Sequence, residues 1–389
     1  MTELSDSRVL IVDDLRANVD ILVQSLRDDY KLSVALDGEH ALKAALNNPP
    51  DLVLLDIVMP GLDGYEICRR LRTAEATRSV PIMFLSSLED VADKARGFEL
   101  GGNDYLTKPF NVLEVKARVR SLLRAKHYAD AVKAVAERDL RIAREIQMGL
   151  LRTDLAAQTG GTGIEVYAAL EPAQQVGGDL FEVLRLGGDR VLVAVGDVSG
   201  KGIPAALFMA VTMTLLRSMA RLEDAPDRIL RRVNDALLEQ NPRGMFVTMQ
   251  CMVFDRAGRR VTCASAGHHA AVRLSPGQPP RLACQSSGRV LGLTPVTDFA
   301  SETLELVPGE TLVLFTDGVS EASGPDETFF GEERLLEHLA GAPAQGARET
   351  TLGIVEAVRR HAAGTKQSDD ITVVSVRCTG RIREGHPSR

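Results

Sequence analysis

Gly196-Asp197-Val198-Ser199-Gly200-Lys201-Gly202 is the stretch on which the reading of this chain turns. It follows Arg190–Val195 (RVLVAV), an apolar, valine-rich run of strand length. One carboxylate therefore stands at the mouth of a turn. Glycines at 196, 200 and 202 permit turns that a Cβ resists, and they leave room for close approach. An aspartate beside bare backbone carbonyls suits a hard cation, which takes oxygen ligands. Alone, the stretch fits a polar turn as well as it fits a cation site.

The other carboxylates of the same region decide between the two. Gly177-Gly178-Asp179 precedes Leu180-Phe181, Asp317 follows the run TLVLF, and Asp369-Asp370 precedes Ile371–Val374. Together with Asp197 they make four acidic positions at strand ends, with glycine beside three of them. Each singly reads as a turn aspartate; the set reads as a cluster around two hard metal ions. Without Cys or His ligands, such a cluster favours Mg²⁺ or Mn²⁺ over zinc or copper. Its chemistry is hydrolysis of a phosphate ester by direct attack on phosphorus. No GxxxxGK[ST] loop is present, so ATP is not the expected substrate. Around these motifs lie short valine-rich strands and two helical patches, Pro204–Arg221 and Asp227–Gln240. That mixture predicts an α+β domain with an antiparallel sandwich flanked by helices over about 153–378.

The first 124 residues have a different rhythm. Apolar runs at Val9–Val12, Leu52–Leu55, Ile82–Leu85 and Tyr105–Leu106 alternate with helix-length stretches. This predicts a doubly wound α/β domain with a five-stranded parallel sheet. Ligands of such sheets bind beyond the carboxyl ends of the strands, where Asp13, Asp14, Asp56, Ser86 and Lys108 fall. Three carboxylates brought together need a cation, so a divalent metal is expected, with Asp56 placed as a nucleophile toward a phosphoryl group. A nucleotide-binding fold is rejected because LIVDDLRAN carries no glycine to cradle phosphates.

Between the two regions, residues 112–152 hold no proline and only Gly149, which predicts one long helical linker. Val132, Val135, Ile142 and Ile146 follow a three-four spacing interrupted by Asp139, compatible with a two-stranded coiled coil and a homodimer. Thr379–Arg389 is expected to be a disordered tail.

Composition narrows the classes. A chain of 389 residues with net charge −7 has room for two or three domains and no basic block for nucleic acid. Its start lacks a signal-like apolar segment and no apolar run is long enough for a membrane span. The five cysteines, at 68, 251, 263, 284 and 378, have no CxxC spacing and read as reduced thiols of a cytoplasmic protein.

Residues 8–120 resemble the receiver domain of two-component response regulators, through VDD (12–14), DIVMPGLDG (56–64), PIMFLSS (81–87) and DYLTKPF (104–110). The resemblance implies Asp56 as phosphoacceptor from a histidine kinase and Asp13 and Asp14 as Mg²⁺ ligands. It further implies Ser86 and Lys108 as contacts of the phosphoryl group, and Tyr105 as a rotating aromatic switch. The second domain resembles the metal-dependent protein phosphatase (PPM) family, in its SpoIIE-like branch. The motifs are AREIQMGLL (143–151), QVGGDLFEV (175–183), GDVSGKGIPAAL (196–207), MFVTM (245–249), ASAGHH (264–269), LFTDGVSEA (314–322) and DDIT (369–372). That resemblance implies Asp197 as the ligand bridging two Mg²⁺ or Mn²⁺ ions, Val198 contributing its carbonyl, and Asp179, Asp317 and Asp369 completing the shells. Asp370 orients the site. Glu182 stands where the family usually has Asp, which is expected to reshape the outer shell.

The function these resemblances imply is a receiver-gated serine/threonine phosphatase acting on a phosphorylated anti-sigma-factor antagonist. The alternative is a catalytically weak phosphatase-fold adaptor that sequesters a sigma-factor regulator. His268 and His269, adjacent and so expected on opposite sides of a strand, are assigned no catalytic role.

Overall fold

The computed structural model describes all residues except 1–3, 88–90, 152–153, 240, 286–288, 296–297, 342–345 and 381–389, and no side chains over 91–94. Most of the expected C-terminal tail therefore lies outside the described residues. The chain divides into two compact units, Met1–Arg138 and Asp139–Arg389. Among the described residues no helix is long and apolar enough to cross a membrane.

The first unit runs β1 (Arg8–Val12), α1 (Arg16–Leu26), β2 (Lys31–Ala35), α2 (Gly38–Asn47), β3 (Leu52–Asp56), α3 (Gly64–Thr73), β4 (Ile82–Ser86), α4 (Val91–Glu99) and β5 (Asp104–Thr107). Its strands form a parallel sheet in the order β2-β1-β3-β4-β5. Every residue of β3 and β4 is buried, which is why these strands read as unbroken apolar runs. Their side chains alternate between two cores. Leu10, Val12, Val53, Leu55, Ile82 and Phe84 pack with α2 and α3. Val9, Ile11, Leu52, Leu54, Met83 and Leu85 pack with α1 and with Val115, Val119 and Leu123. β2 was not located from the sequence: KLSVA lies at the sheet edge with one residue fully buried, so it lacks an apolar run.

One 39-residue helix, α5 (Val112–Leu150), follows. Asn111 starts it, its Oδ1 accepting from the backbone N–H of Leu113 and Glu114. Val132, Val135, Ile142 and Ile146 are exposed along it.

The second unit continues with α6 (Leu155–Thr159), β6 (Ile164–Glu171), β7 (Leu180–Arg185), β8 (Val191–Val198), α7 (Ile203–Met219), α8 (Pro226–Glu239), β9 (Val247–Phe254) and β10 (Arg260–Ala266). It ends with β11 (Ala271–Leu274), β12 (Arg281–Ala283), β13 (Ser301–Glu305), β14 (Thr311–Phe315), α9 (Asp317–Ser320), α10 (Gly331–Gly341), α11 (Ala347–His361) and β15 (Ile371–Cys378). Two antiparallel sheets result, β13-β10-β9-β8-β7 and β12-β11-β14-β15-β6. Alternation along β14 and β15 splits their side chains. Leu312, Leu314, Val374 and Val376 enter the core shared with the facing sheet and α7 and α8. Val313, Phe315 and Val373 turn the other way, onto α10 and α11. The unit is a sandwich with helices on both outer faces.

The cysteines depart from expectation. Cys263 on β10 and Cys284 just past β12 form a disulfide, Cα–Cα 6.1 Å, while Cys68, Cys251 and Cys378 are free and buried. The bond ties one sheet to the other across 21 residues of sequence, a pairing that local spacing does not reveal. Thiol titration of the denatured, unreduced protein should count three free cysteines rather than five. Reduction should lower unfolding stability by about 3 kcal/mol, as a lower denaturant midpoint.

Candidate active sites

In the first unit the polar side chains gather at the carboxyl ends of the strands. Ligand oxygens of Asp13, Asp14 and Asp56 lie within 4.8 Å of one another. Lys108 Nζ reaches Asp56 Oδ2 at 2.7 Å and Asp13 Oδ2 at 2.8 Å. Asp13 is held by N–H donors, from the Leu15 backbone at 2.9 Å and the Asn18 amide at 3.0 Å. Burial pushes the Asp56 carboxyl above its ordinary pKa and the Asp13 charge adds to this, against the opposing effect of Lys108. Lys108 is itself raised: burial opposes its charge, but the bonds to Asp13 and Asp56 outweigh it. Ser86 is buried at the end of β4. Tyr105 is also buried, its ring 5.3 Å from Phe84 and 5.1 Å from Phe98.

In the second unit the β7–β8 register pairs Leu180 with Gly196, which sets Asp179 opposite Asp197. Asp317 opens α9 directly after β14, and Asp369 and Asp370 lead into β15, the strand hydrogen-bonded to β14. All four expected carboxylates thus stand at one end of the sandwich. They are spaced more openly than the acidic triad of the first unit, since among the described residues no three of them bring ligand atoms within 4.8 Å. The Gly196–Gly202 turn adopts the conformation glycine allows, with φ of 88° at Gly200 and 73° at Gly202. A Cβ on Gly178 would stand 2.7 Å from the Val198 carbonyl oxygen; the missing side chain is what lets that carbonyl sit beside Asp197.

The electrostatics record the crowding. Asp179 is pushed well above the usual carboxylate range, by burial first and then by the charge of Asp197. Asp197 is raised to about 7 by burial and by Asp317 and Asp369. Asp317 is raised by burial and by Asp369. An all-oxygen donor set whose members resist ionising together is the chemistry that hard divalent cations neutralise, so the residues fit Mg²⁺ or Mn²⁺.

Thr316, Thr372 and the Lys201 side chain join the site without a signal of their own in the sequence. Thr316 and Thr372 donate to Asp179 Oδ2 at 2.8 and 2.5 Å; Thr316, just past β14, adjoins Asp317, and its backbone N–H donates to the carbonyl of Thr372 on β15 at 3.1 Å. Lys201 Nζ lies 2.8 Å from Asp369 Oδ2 and donates to the Ser368 carbonyl. Asp370 accepts from the backbone N–H of Ala173 at 2.8 Å and of Asp179 at 3.4 Å. Glu182 is buried against α7, with Arg217 Nε 2.6 Å away. The histidines lie past the end of β10 rather than on it. Burial drives His268 down to about 3, with Thr248 Oγ1 2.8 Å from its Nδ1, whereas His269 stacks on Phe315.

The raised Asp197 makes the sign of a pH effect explicit. Its folded pKa of about 7 exceeds the reference 3.8, so the metal-free fold binds the proton more tightly than the unfolded chain does. This group's contribution is complete below about 4 and is lost as pH rises to about 7. In chelator, Asp197→Asn should therefore be more stable than the parent at pH 8, by on the order of 1 kcal/mol or more. The difference should close toward pH 4. A thermal-melt difference independent of pH would remove like-charge crowding as its cause.

Comparison with known proteins agrees with this layout. The response regulator receiver domain model matches residues 9–120, and the model for stage II sporulation protein E (SpoIIE) matches residues 187–379. Response regulator PleD of Caulobacter vibrioides is 39% identical over 158 residues, 40% of this chain and 33% of PleD. Protein IcfG of Synechocystis is 29% identical over 291 residues, 67% of this chain and 44% of IcfG. The chain thus spans a third of the first relative and less than half of the second. The SiaA-PP2C domain of Pseudomonas aeruginosa superposes with TM-score 0.57 at 24% identity, covering 64% of this chain and 99% of that one, a likeness of fold. The chain joins a response regulator receiver domain, over residues 9–120, to a SpoIIE domain over residues 187–379.

Proposed function

We propose that this protein hydrolyses phosphoserine or phosphothreonine on a partner protein, and that phosphorylation of Asp56 gates the reaction. The observation that carries the reading is the placement of Asp179 across from Asp197, with Asp317 and Asp369 close enough to add their charge to the burial that raises the Asp197 carboxyl to about 7. Asp197 would bridge two divalent cations, Mg²⁺ or Mn²⁺, with Asp179, the Val198 carbonyl, Asp317 and Asp369 completing their shells. Such a pair supplies a water of lowered pKa and neutralises charge on the transferring phosphoryl group. Thr316 and Thr372 hold the Asp179 carboxylate in place by donating to it, and Asp370 fixes the backbone on which Asp179 is carried.

In the receiver, Asp13 and Asp14 would hold Mg²⁺ beside Asp56, which takes the phosphoryl group from a histidine kinase. Ser86 and Lys108 would then contact the phosphoryl oxygens and Tyr105 would change its packing. The exposed Val132, Val135, Ile142 and Ile146 of α5 support a homodimer through that helix. The proposed substrate is a phosphorylated anti-sigma-factor antagonist in the cytoplasm.

Mn²⁺-dependent release of phosphate from a phosphoserine protein tests the chemistry. Asp197→Ala should lower kcat/KM by about 10²-fold or more; unchanged turnover would instead favour an adaptor that only binds its partner. Gating is tested by turnover and light-scattering mass with and without a phosphoryl mimic on Asp56. If neither quantity responds, Asp56 does not control this output.

A further inference from the structure

Hydrogen bonds at three positions on the last two turns of α5 lead to the segment that carries Asp179, two of them directly and the third through Arg217. They leave the helix at positions 144, 147 and 150, three residues apart and hence along one face. Arg144 donates to the Gln174 carbonyl at 3.4 Å. The Gln147 amide bonds twice to one residue: its Nε2 donates to the Gly177 carbonyl at 2.7 Å, and the Gly177 N–H donates to its Oε1 at 3.2 Å. The Leu150 carbonyl accepts from Arg217, whose Nε is paired with Glu182. Gly177 precedes Asp179 by two residues and Glu182 follows it by three, so the aspartate is bracketed.

The middle bond is the informative one. Gln147 is only 8% exposed, and an amide is the side chain that both donates to and accepts from a single peptide unit. On its other side Gly177 meets Asp370, whose carboxylate would lie 1.7 Å from any Cβ placed there. That same carboxylate accepts from the Asp179 N–H. The peptide leading to Asp179 is thus held between Gln147 and Asp370, with no side chain of its own to take up slack. Packing of the helix end against the sandwich is supplied separately by Leu151, Met148 and Leu150.

We propose that Gln147 is a positioning residue for Asp179, acting through Gly177 to set the carboxylate for divalent cation binding. The inference rests on the metal-phosphatase reading. Groups that orient a ligand without touching the metal change affinity by about 10–100-fold when removed, and Gln147 stands in that relation to Asp179.

The test uses the full chain carrying Asp13→Ala, which removes the receiver's own cation cluster, and measures Mn²⁺ binding from the EPR signal of free Mn²⁺. Gln147→Leu keeps the bulk of the side chain and deletes both bonds. It should weaken Mn²⁺ binding about tenfold or more, and raise the Mn²⁺ concentration for half-maximal hydrolysis in step, with kcat at saturating Mn²⁺ retained. Met213→Ala, in the core of the same unit, is the control for lost stability: it should lower the melting temperature and leave Mn²⁺ affinity as it was. Gln147→Leu binding Mn²⁺ within about twofold of the parent overturns the proposal, as does an equal loss in Met213→Ala. A parent that binds Mn²⁺ but releases no phosphate overturns the phosphatase reading alone, because the binding measurement needs no turnover. A parent that binds no Mn²⁺ overturns both.

Discussion

Repulsion between carboxylates is the constraint around which both sites are built. In the receiver the excess negative charge is met from within: Lys108, with 17% of its side chain exposed, ion-pairs Asp13 and Asp56 at once. Among the described residues the acidic end of the second unit has no equivalent. Lys201 is 48% exposed and its ion pair is with Asp369; burial and the Asp197 charge raise Asp179, while burial and the charges of Asp317 and Asp369 raise Asp197. Even in the receiver Asp14 makes a third carboxylate and Asp56 stays above its ordinary pKa, so neither is a site whose charges balance without metal. A site whose acids outnumber the nearby cation pushes itself toward protonation, and a divalent ion relieves that strain most completely.

Everything adjacent to those acids serves to keep them in place despite the repulsion. Asp179 sits on a strand end opposite Asp197 because the β7–β8 register leaves no alternative, and two threonine hydroxyls from the facing sheet bind one of its oxygens. Asp370 spends its carboxylate on backbone N–H groups, so it acts as scaffold, though its neighbour Asp369 faces Lys201. Charge-assisted bonds of this kind hold their geometry better than neutral ones. The two sheets therefore meet at this end through polar bonds, in contrast to the apolar core between them.

The features legible in the sequence are those whose physical cause is local. β1, β3 and β4 announce themselves because burial on both faces demands uninterrupted apolar residues, and the acidic motifs because glycine accompanies them at strand ends. β2 escapes because an edge strand with exposed Lys31, Ser33 and Val34 has no such demand. Other features depend on partners far away in sequence. Thr316 and Asp179 are 137 residues apart, Arg217 and Glu182 are 35 apart, and the two bonded cysteines 21. Glu182 illustrates this dependence best. It stands where the family usually has Asp, which implies a reshaped outer shell, and its ion pair with Arg217 ties it to α7 and the end of α5. An isolated reading of GGDLFEV cannot supply that partner.

The connector helix brings these strands together. Its first turns bury Val115, Val119 and Leu123 in the receiver core, and its last turn spends buried hydrogen bonds on the backbone beside Asp179. Over its middle the same helix exposes valine and isoleucine. A surface helix held only by packing can slide by fractions of an ångström at little cost, whereas a buried amide bonded twice to one peptide unit cannot move without stranding polar groups, each costing about 1–3 kcal/mol. A change in the helix near its end must then either break that amide pair or carry Gly177 with it. Through the chain, moving Gly177 moves the backbone of Asp179, and the most crowded carboxylate of the site has little freedom to compensate.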